Sequence, residues 1–277
     1  MHDPRYVLAR SVLLDALEAL GDQRDAVIVV GAQAVYMHTG AIELAVPEFT
    51  LDADITFDPA LVRDIPEIEA AMLGARFERG NRVGVWIASR TVAGVPARVE
   101  VDLMVPDAVG GPGRRAARLP GHAKEVARKT RGLEAALIDK NVVTIGALDP
   151  ADVRTFDVAI AGPAALLIAK AHKIAERVAE REHRRLEDKD ALDMLRLLQA
   201  TETAVLAGMV NTLLQADVAR DVTREALAIL DEHFTDVRAA GSQMAVRAAG
   251  ALMPADVVAA SCAALALDLL REIDSAK

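Results

Sequence analysis

Residues 50–57, TLDADITF, alternate strictly between polar and apolar side chains. Because consecutive side chains of a β-strand point to opposite faces, the pattern predicts a strand with Asp52 and Asp54 on one face, about 6–7 Å apart. Two carboxylates at that spacing repel each other unless a cation lies between them. Mg²⁺ and Mn²⁺ prefer such oxygen ligands, and Mg²⁺ leaves coordination positions open for substrate phosphates. The segment therefore indicates a candidate metal site.

Residues 98–105 show the same alternation, which places Glu100 and Asp102 on one face of a second predicted strand. If this strand lies beside the first, Asp102 or Glu100 adds a third carboxylate to the cluster. Three carboxylates on paired strands can hold two metals about 3.5–4 Å apart, which activate an attacking hydroxyl and stabilise a leaving pyrophosphate. The simpler alternative is that these acids form the solvent-facing side of an antiparallel sheet.

Residues 27–38, VIVVGAQAVYMH, predict a buried strand that turns at Gly31 into a short helix. The backbone N–H groups at the start of such a helix can bind a phosphate. This turn alone is common in α/β proteins. Followed by an Asp-x-Asp strand and a further acidic strand, it resembles the nucleotidyltransferase superfamily associated with DNA polymerase β.

The chain departs from that superfamily pattern in two places. Gly31 is followed by Ala32, where the superfamily carries Ser or Gly, so a side-chain hydroxyl for the phosphate is missing. The gap before Asp52 is also longer than usual, which implies an inserted loop at Ala41–Glu48. Thr50, two residues before the first aspartate, stands where related proteins carry Ser or Thr, and we count it with Gly31 and Ala32 among the candidate substrate-binding residues.

The two halves of the chain differ in their periodicity. From about Asp25 to Ile160, short β-like runs alternate with turn residues, whereas from Gly162 onward Ala and Leu recur at helical spacing and Pro163 suits the first turn of a helix. The predicted strands are 27–30, 50–57, 83–88, 98–105, 142–145 and 155–160. We predict an α+β fold, with a nucleotidyltransferase-type mixed sheet and flanking helices in residues 1–160 and a helical domain in residues 161–277.

Composition narrows the function classes. The 277 residues carry 41 acidic against 32 basic side chains, a net charge of −9, which argues against a protein that coats nucleic acid through its whole surface. Aromatic residues are only 3%, which favours binding of phosphates over stacking of bases. The single cysteine, Cys262, excludes intrachain disulfides, and its apolar neighbours predict a buried structural thiol. Without a signal pattern or an apolar run of roughly 20 residues, we expect a cytoplasmic protein with no membrane partner.

Two later segments strengthen the resemblance. Residues 161–177, AGPAALLIAKAHKIAER, and residues 184–193, RRLEDKDALD, resemble motifs of the AbiEii and MenT group of nucleotidyltransferase-like toxins. Those motifs are a Lys-x-x-[Lys/Ala]…Arg helix and a Lys-Asp-x-x-Asp segment. The resemblance covers roughly residues 27 to 200. Members of the group transfer nucleotides, some of them to the 3′ end of tRNA, and are typically encoded beside an antitoxin.

The resemblance implies that Lys170 contacts the triphosphate and that Asp190, or Asp188, is required for activity. In an unbroken helix, Lys170 and Asp190 would lie about 30 Å apart, because an α-helix rises about 1.5 Å per residue. The two residues can share a site only if the helix ends between them. We therefore predict a helix end between Arg181 and Glu187.

A basic stripe follows Lys170 along one predicted helix face, formed by Lys173, Arg177, Arg181 and Arg184. Beside a metal–phosphate site, such a stripe would bind an RNA backbone, since phosphate contacts set affinity for nucleic acid. Lys173 and Arg177 are accordingly candidate substrate-binding residues. The alternative is a solvated helix face with acids mixed in.

A further basic cluster follows the glycine-rich loop at residues 110–113, and Glu125 is the one acid that opposes it. Its members are Arg114, Arg115, Arg118, Lys124, Arg128, Lys129 and Arg131. We predict a mobile arm that contacts RNA or nucleotide phosphates. An exposed basic loop without a ligand is the alternative.

Together these features lead to one hypothesis, a metal-dependent nucleotidyltransferase of the AbiEii/MenT type. Asp52 and Asp54 would hold Mg²⁺ or Mn²⁺ with Asp102 as third ligand, Gly31 would position the triphosphate, and Lys170 would offset its charge. The enzyme would transfer NMP from an NTP to a hydroxyl of RNA, at the 3′ end of tRNA. It would act as the toxin of a toxin–antitoxin pair, with an antitoxin protein as partner.

Two alternatives remain open from the sequence. One is a nucleotidyltransferase that modifies a small molecule such as an aminoglycoside and does not need the basic cluster. The other is a degenerate, non-catalytic module that binds nucleotide or a partner, an alternative raised by Ala32.

Overall fold

The structure of the protein is a computed structural model that describes residues 2–40, 50–92, 95–180 and 188–275. These residues form nine α-helices and eight β-strands. The helices are α1 (Pro4–Ala19), α2 (Gly31–Thr39), α3 (Ile68–Gly74), α4 (Pro163–Glu180), α5 (Lys189–Ala200), α6 (Thr203–Gln215), α7 (Arg220–Phe234), α8 (Ala240–Ala249) and α9 (Ala255–Ser275). The strands are β1 (Val27–Val30), β2 (Asp52–Phe57), β3 (Glu78–Arg79), β4 (Val85–Val92), β5 (Val95–Pro106), β6 (Arg128–Thr130), β7 (Lys140–Gly146) and β8 (Thr155–Ala161).

The predicted α+β class is confirmed, with a mixed open sheet and helices in the C-terminal part. All six predicted strands occur, as β1, β2, β4, β5, β7 and β8, although β4 continues to Val92 and β5 begins at Val95, both beyond the predicted limits. The sequence prediction missed β3 and β6, which have two and three residues. Strands that short contain too few side chains to show an alternating pattern.

Strand β2 lies inside the sheet, which runs in the order β3-β4-β5-β2-β1-β8-β7, with β6 also paired to β5. It is antiparallel to β1 and parallel to β5. Ala53, Ile55 and Phe57 on its apolar face are completely buried. The polar face is also covered at Asp54, which is only 7% exposed. The alternative in which these acids form the solvent-facing side of an antiparallel sheet is therefore wrong for Asp54, whose strand is also parallel to β5.

The described residues divide into two compact units, and each is treated separately. Unit 1 comprises the described parts of Met1–Ala34, Pro47–Leu133 and Lys140–Ala161, and it contains the whole sheet with α1 and α3. Unit 2 comprises the described parts of Val35–Val46, Glu134–Asp139 and Gly162–Lys277, and it contains α4 to α9.

In unit 1, helix α1 packs on the sheet against β2, β5 and β8. Asp3 caps its first turn by accepting a hydrogen bond from the N–H of Arg5, 2.7 Å away, and Pro4 occupies a position where no helical N–H is lost. Leu13 and Leu17 are completely or almost completely buried on the core side. This packing covers one face of the sheet at the strands that carry the candidate carboxylates.

In unit 2, helix α4 begins at Pro163, as predicted, and packs against α5 and α7. Cys262 is completely buried in α9, and burial raises the pKa of its thiol to about 12, which confirms the prediction of a buried structural thiol. Within the described part of the chain, no single helix is long and apolar enough to cross a membrane. Only the pair α5 and α6, bent by 112° between them, reaches such a length and composition jointly.

Candidate active site

The carboxylate of Asp54 lies against the backbone of Gly31 at the turn from β1 into α2. Strands β1 and β2 are antiparallel, and Val30 at the end of β1 lies opposite Asp54 of β2, which brings the aspartate to the turn. Gly31 has φ of +70°, and a Cβ added to it would lie 2.0 Å from Asp54 Oδ2. Only glycine satisfies both the left-handed backbone and this close approach. The structure therefore brings together two residues that the sequence placed in one site.

A second aspartate lies opposite Asp54 on the neighbouring strand. Strands β2 and β5 are parallel, with Asp54 opposite Asp102 and Asp52 opposite Glu100. Paired residues of adjacent strands point to the same face of a sheet, so Asp54 and Asp102 form a carboxylate pair. The neighbour relation on which the third predicted carboxylate depended is thus present.

The two carboxylate oxygens of Asp102 have different environments. Oδ2 accepts a hydrogen bond from an Arg128 guanidinium nitrogen 2.7 Å away. Oδ1 is buried and has no hydrogen-bond partner among the described residues. Leaving a buried acceptor unpaired costs about 1–3 kcal/mol, more when the acceptor is charged. This oxygen therefore marks a position where a cation or a hydrogen-bond donor would bind favourably.

Asp52 is held by two contacts that fix its side chain and its backbone. The buried hydroxyl of Thr50 donates a hydrogen bond to Asp52 Oδ1. The side-chain amide of Gln33 donates to the backbone oxygen of Asp52 at 3.1 Å and to that of Ala9 at 3.2 Å, and its oxygen accepts from Arg10 Nε at 2.9 Å. The sequence analysis did not predict that Gln33 holds the backbone of Asp52. The available signal was a single amide side chain among apolar residues at the start of a predicted helix.

Ala32 follows Gly31 in the first turn of α2 and is 2% exposed. Its methyl group fills space where the superfamily pattern would have a hydroxyl or a bare glycine backbone. The predicted insertion at Ala41–Glu48 lies outside the described residues, which resume at Thr50.

The fit to a divalent cation rests on the carboxylate pair. In residues 2–40, 50–92, 95–180 and 188–275, no group of three or more His, Cys, Asp or Glu side chains is arranged to hold a metal ion. Mg²⁺, however, is often bound through one or two carboxylates together with substrate phosphates. Asp54 and Asp102 fit that requirement, with Asp102 Oδ1 as a vacant acceptor. The larger ligand set that includes Asp52 stays a prediction.

Unit 2 contains a second charged group, here named the charge cluster. It consists of the predicted residues Lys170, Lys173, Arg177 and Asp190 together with Asp193. Lys170 Nζ donates to Asp190 Oδ1 and to Asp193 Oδ2, both 2.6 Å away, and all three side chains are almost completely buried. Burial alone would lower the pKa of Lys170, but the negative charges of Asp190 and Asp193 outweigh it and raise that pKa above its ordinary value.

Lys173 and Arg177, the described members of the basic stripe, also lie close to the carboxylate of Asp190. Arg177 lies 2.6 Å from Asp190 Oδ2, close enough for an ion pair although not aligned as a hydrogen bond, and Lys173 lies 3.9 Å from the same oxygen. Burial tends to raise the pKa of Asp190, but the charges of Lys170, Lys173 and Arg177 lower it overall. Arg181 and Arg184 lie outside the described residues.

Asp188 and Asp190, between which the sequence leaves the functional acid open, have different partners, and which of them is needed for activity stays a prediction. Asp188 is 1% exposed and accepts two hydrogen bonds from Arg247 of α8, at 2.8 and 3.1 Å. Asp190 is therefore the acid that belongs to the charge cluster. Asp193 was not among the predicted site residues, although its position three residues after Asp190 places both on one face of α5.

Lys170 and Asp190 lie on separate helices, as their sharing of a site requires, while the predicted position of the helix end, between Arg181 and Glu187, falls on residues that are not described. Helix α4 ends at Glu180 and α5 begins at Lys189 as a separate helix, so the two side chains meet directly. Residues 181–187 lie outside the described part of the chain. The predicted contact of Lys170 with a triphosphate stays a prediction, since two carboxylates already bind its ammonium group.

The basic segment after the glycine-rich loop is tied to the sheet and does not extend from it as an arm. Strand β6 pairs with β5, and the N–H of Lys129 donates to Arg115 O at 2.7 Å. The Lys129 ammonium donates to Gly111 O and Gly113 O and pairs with Asp107. The exposed basic side chains of the segment are Arg114, Arg115, Arg118, Lys124 and Arg131.

Comparison with known proteins adds no family. Neither the family models, nor the curated proteins, nor the solved structures contain a match for this chain. Two features of the molecule bear on its function, the carboxylate pair in unit 1 and the charge cluster in unit 2.

Proposed function

We propose that the protein is a metal-dependent nucleotidyltransferase whose unit 1 has a nucleotidyltransferase-type fold. It transfers NMP from an NTP to a hydroxyl of an RNA acceptor and releases pyrophosphate. One observation carries the proposal. Asp54 and Asp102 lie opposite each other on adjacent strands, with Asp54 against Gly31 at a helix N-terminus and with one buried Asp102 oxygen that has no hydrogen-bond partner in the described part of the chain.

The residues of unit 1 have separate tasks in this reaction. Asp54 and Asp102 hold Mg²⁺ or Mn²⁺, with Asp52 as a further ligand oriented by Thr50. The bound ion supplies charge neutralisation at the phosphates and lowers the pKa of an attacking hydroxyl. Gly31 and the N–H groups of the first turn of α2, including that of Ala32, bind triphosphate oxygens. With the triphosphate fixed, the acceptor hydroxyl attacks the α-phosphate in line, and the chemistry is mainly positioning and electrostatics.

An RNA acceptor is supported by the exposed basic side chains of the segment after the glycine-rich loop. Arg114, Arg115 and Arg118 are exposed in a chain whose net charge is −9. Cations that face solvent can neutralise a phosphodiester backbone, which supplies most sequence-independent affinity for RNA. A tRNA 3′ end as acceptor, a toxin role and an antitoxin partner follow from the resemblance to the AbiEii and MenT group and belong to the same proposal.

A non-catalytic nucleotide-binding module is a second candidate, and the partners of two basic residues favour it. Arg128 already neutralises one oxygen of Asp102, and the ammonium group of Lys170 is already bound by two carboxylates. A module of this kind would bind NTP and Mg²⁺ without forming product. Calorimetry with NTP and Mg²⁺, run beside a product assay, separates binding from turnover.

The test incubates purified protein with each labelled NTP, Mg²⁺ and total RNA. The wild type should label RNA, and Asp54→Asn should abolish labelling while its far-UV circular dichroism and unfolding midpoint stay close to those of the wild type. Asp157→Asn is the matched control, because Asp157 is an exposed aspartate of β8 in the same sheet. Wild-type labelling by Asp54→Asn would refute the proposal.

A further inference from the structure

Arg128 is a basic residue with an acidic partner in a segment otherwise rich in exposed cations. One of its guanidinium nitrogens donates to Asp102 Oδ2 at 2.7 Å, and another donates to the hydroxyl of Thr130 at 3.2 Å. The side chain is 33% exposed, and that of Asp102 is 15% exposed. Arg128 is therefore a fixed and partly buried cation, in contrast to the exposed Arg114, Arg115 and Lys124 of the same basic segment.

The backbone around Arg128 is built to hold this position. Arg128 is opposite Met104 in the parallel pairing of β5 and β6. Gly84 has φ of +76°, and a Cβ there would lie 2.6 Å from the backbone nitrogen of Arg128 and 2.4 Å from Leu103 O. The backbones of Leu103 and Arg128 thus pack directly against Gly84, and no residue with a Cβ would fit there.

The electrostatic consequence concerns the carboxylate pair. Asp54 and Asp102 lie side by side on adjacent strands and on one face of the sheet, and two neighbouring carboxylates in a largely buried site destabilise each other when both are ionised. Arg128 offsets this repulsion at Asp102 Oδ2 and leaves Oδ1 available. The same positive charge repels any second cation that approaches the pair.

We propose that Arg128 is a resident counter-ion of the carboxylate pair, which stabilises Asp54 and Asp102 before a metal binds and lowers their affinity for a divalent cation. Arg128 is a positioning residue, because it acts through Asp102. The inference rests on the proposed function, since the metal site at Asp54 and Asp102 is part of that proposal. It adds a residue that sets how tightly the site binds its ion.

A matched control is the arginine that pairs with another acid of β5, the strand that carries Asp102. Arg82 pairs with Glu100 at 2.7 Å, two residues before Asp102, but both side chains are largely exposed, at 63% and 47%. Solvent and salt screen such a pair strongly. Arg82→Gln therefore removes the same formal charge as Arg128→Gln at a neighbouring acid without removing a counter-ion of the carboxylate pair.

The experiment measures Mn²⁺ binding by calorimetry in the absence of nucleotide. We expect Arg128→Gln to bind Mn²⁺ about five- to tenfold more tightly than the wild type, the scale for removing one partly screened like charge. Arg128→Lys, which keeps the charge, and Arg82→Gln should stay within about twofold of the wild type. Unchanged or weaker binding by Arg128→Gln would overturn the counter-ion role.

Failure of the inference and failure of the proposed function give different results. If Asp54→Asn binds Mn²⁺ as the wild type does, the metal site is wrong and the proposed function fails with it. If Asp54→Asn loses binding but Arg128→Gln shows no gain, only the counter-ion role is wrong.

A second measurement, thermal unfolding without metal, tests the proposal even if Arg128→Gln alone does not fold. Asp102→Asn removes the negative charge that Arg128 balances, so adding Arg128→Gln to Asp102→Asn should leave the unfolding midpoint unchanged. Coupling of this kind is what a double-mutant cycle isolates. A further large fall of the midpoint in the double variant would show that Arg128 stabilises the fold independently of Asp102, which contradicts the proposal.

Discussion

Lys170 and Asp190 are 20 residues apart in the chain, yet Lys170 Nζ lies 2.6 Å from Asp190 Oδ1. The contact forms because α4 and α5 are separate helices that pack on each other. Asp193 binds the same ammonium group, so at most one of its three N–H donors remains for any other acceptor. The pair therefore has a stabilising role in unit 2 that is independent of any substrate.

We expect Lys170→Met to destabilise the protein strongly. It leaves Asp190 and Asp193 buried without the cation they share, and breaking a buried ion pair by removing one partner costs about 3–5 kcal/mol. Lys173→Met is the matched control, because Lys173 is 43% exposed and 3.9 Å from Asp190, so its loss should cost only about 0–1 kcal/mol. Equal urea midpoints for the two variants would contradict this account of Lys170.

The lowered pKa of Asp190 predicts the sign of a pH effect. A carboxyl whose folded-state pKa lies below its ordinary value of 3.8 stabilises the fold at higher pH, and this contribution is lost as the pH falls through the folded-state pKa. The loss of unfolding free energy caused by Asp190→Asn should therefore be constant from about pH 7 to pH 5 and should shrink below about pH 4. Urea unfolding of both proteins across this range measures it. A difference that grows on acidification would have the wrong sign.

Gly31→Ala should damage the site through its backbone. The substitution places a Cβ 2.0 Å from Asp54 Oδ2 and a non-glycine residue at φ of +70°, and such strain costs on the order of 1–3 kcal/mol. Displacement of Asp54 should also abolish Mn²⁺ binding. Gly74→Ala is the control, since a Cβ at Gly74 meets no atom within 4 Å at the end of α3. Mn²⁺ titration and thermal unfolding of the two variants decide the point, and full Mn²⁺ affinity in Gly31→Ala would count against the site.

The exposed basic segment should matter for RNA and not for the nucleotide. Replacing Arg114, Arg115 and Arg118 with Gln should reduce transfer to RNA and flatten its salt dependence, because fewer counterions are released on binding. Binding of NTP and Mn²⁺ should stay at the wild-type level.

The control for this variant neutralises three exposed arginines of unit 2, Arg224, Arg238 and Arg271. Filter binding of labelled RNA at several salt concentrations compares the two proteins. Equal loss of RNA affinity would mean that total charge, and not this segment, governs binding. Full transfer to RNA by the first variant would favour the small-molecule alternative.

Local patterns in the sequence were sufficient for the carboxylate strands. The alternation of Asp52 and Asp54 predicts β2, and glycine at residue 31 predicts the turn, because both depend on neighbouring residues alone. Which acid completes the site depends on strand order, so Glu100 and Asp102 could be separated only by the register of β2 and β5.

Arg128 and Lys170 show what sequence patterns do not contain. In the sequence, Arg128 is one of seven basic residues between residues 114 and 131, and nothing distinguishes it from the others. Its partner Asp102 is 26 residues away on β5, which Arg128 reaches because the three-residue strand β6 pairs with β5. The motif around Lys170 predicts its proximity to Asp190, but not its burial, which comes from the packing of α5 and α7 on α4. Tertiary contacts of this kind decide whether a charged residue is a ligand or a structural partner.

The position of the label in the NTP tests the central claim most directly. Purified protein is incubated with Mg²⁺, total RNA and an NTP labelled at either the α- or the γ-phosphate. Nucleotidyl transfer predicts that label enters RNA from the α-phosphate, that the γ-label appears as pyrophosphate, and that Asp54→Asn and Asp102→Asn do neither. Label that enters RNA from the γ-phosphate, or α-label transferred equally well by Asp54→Asn, would contradict the account.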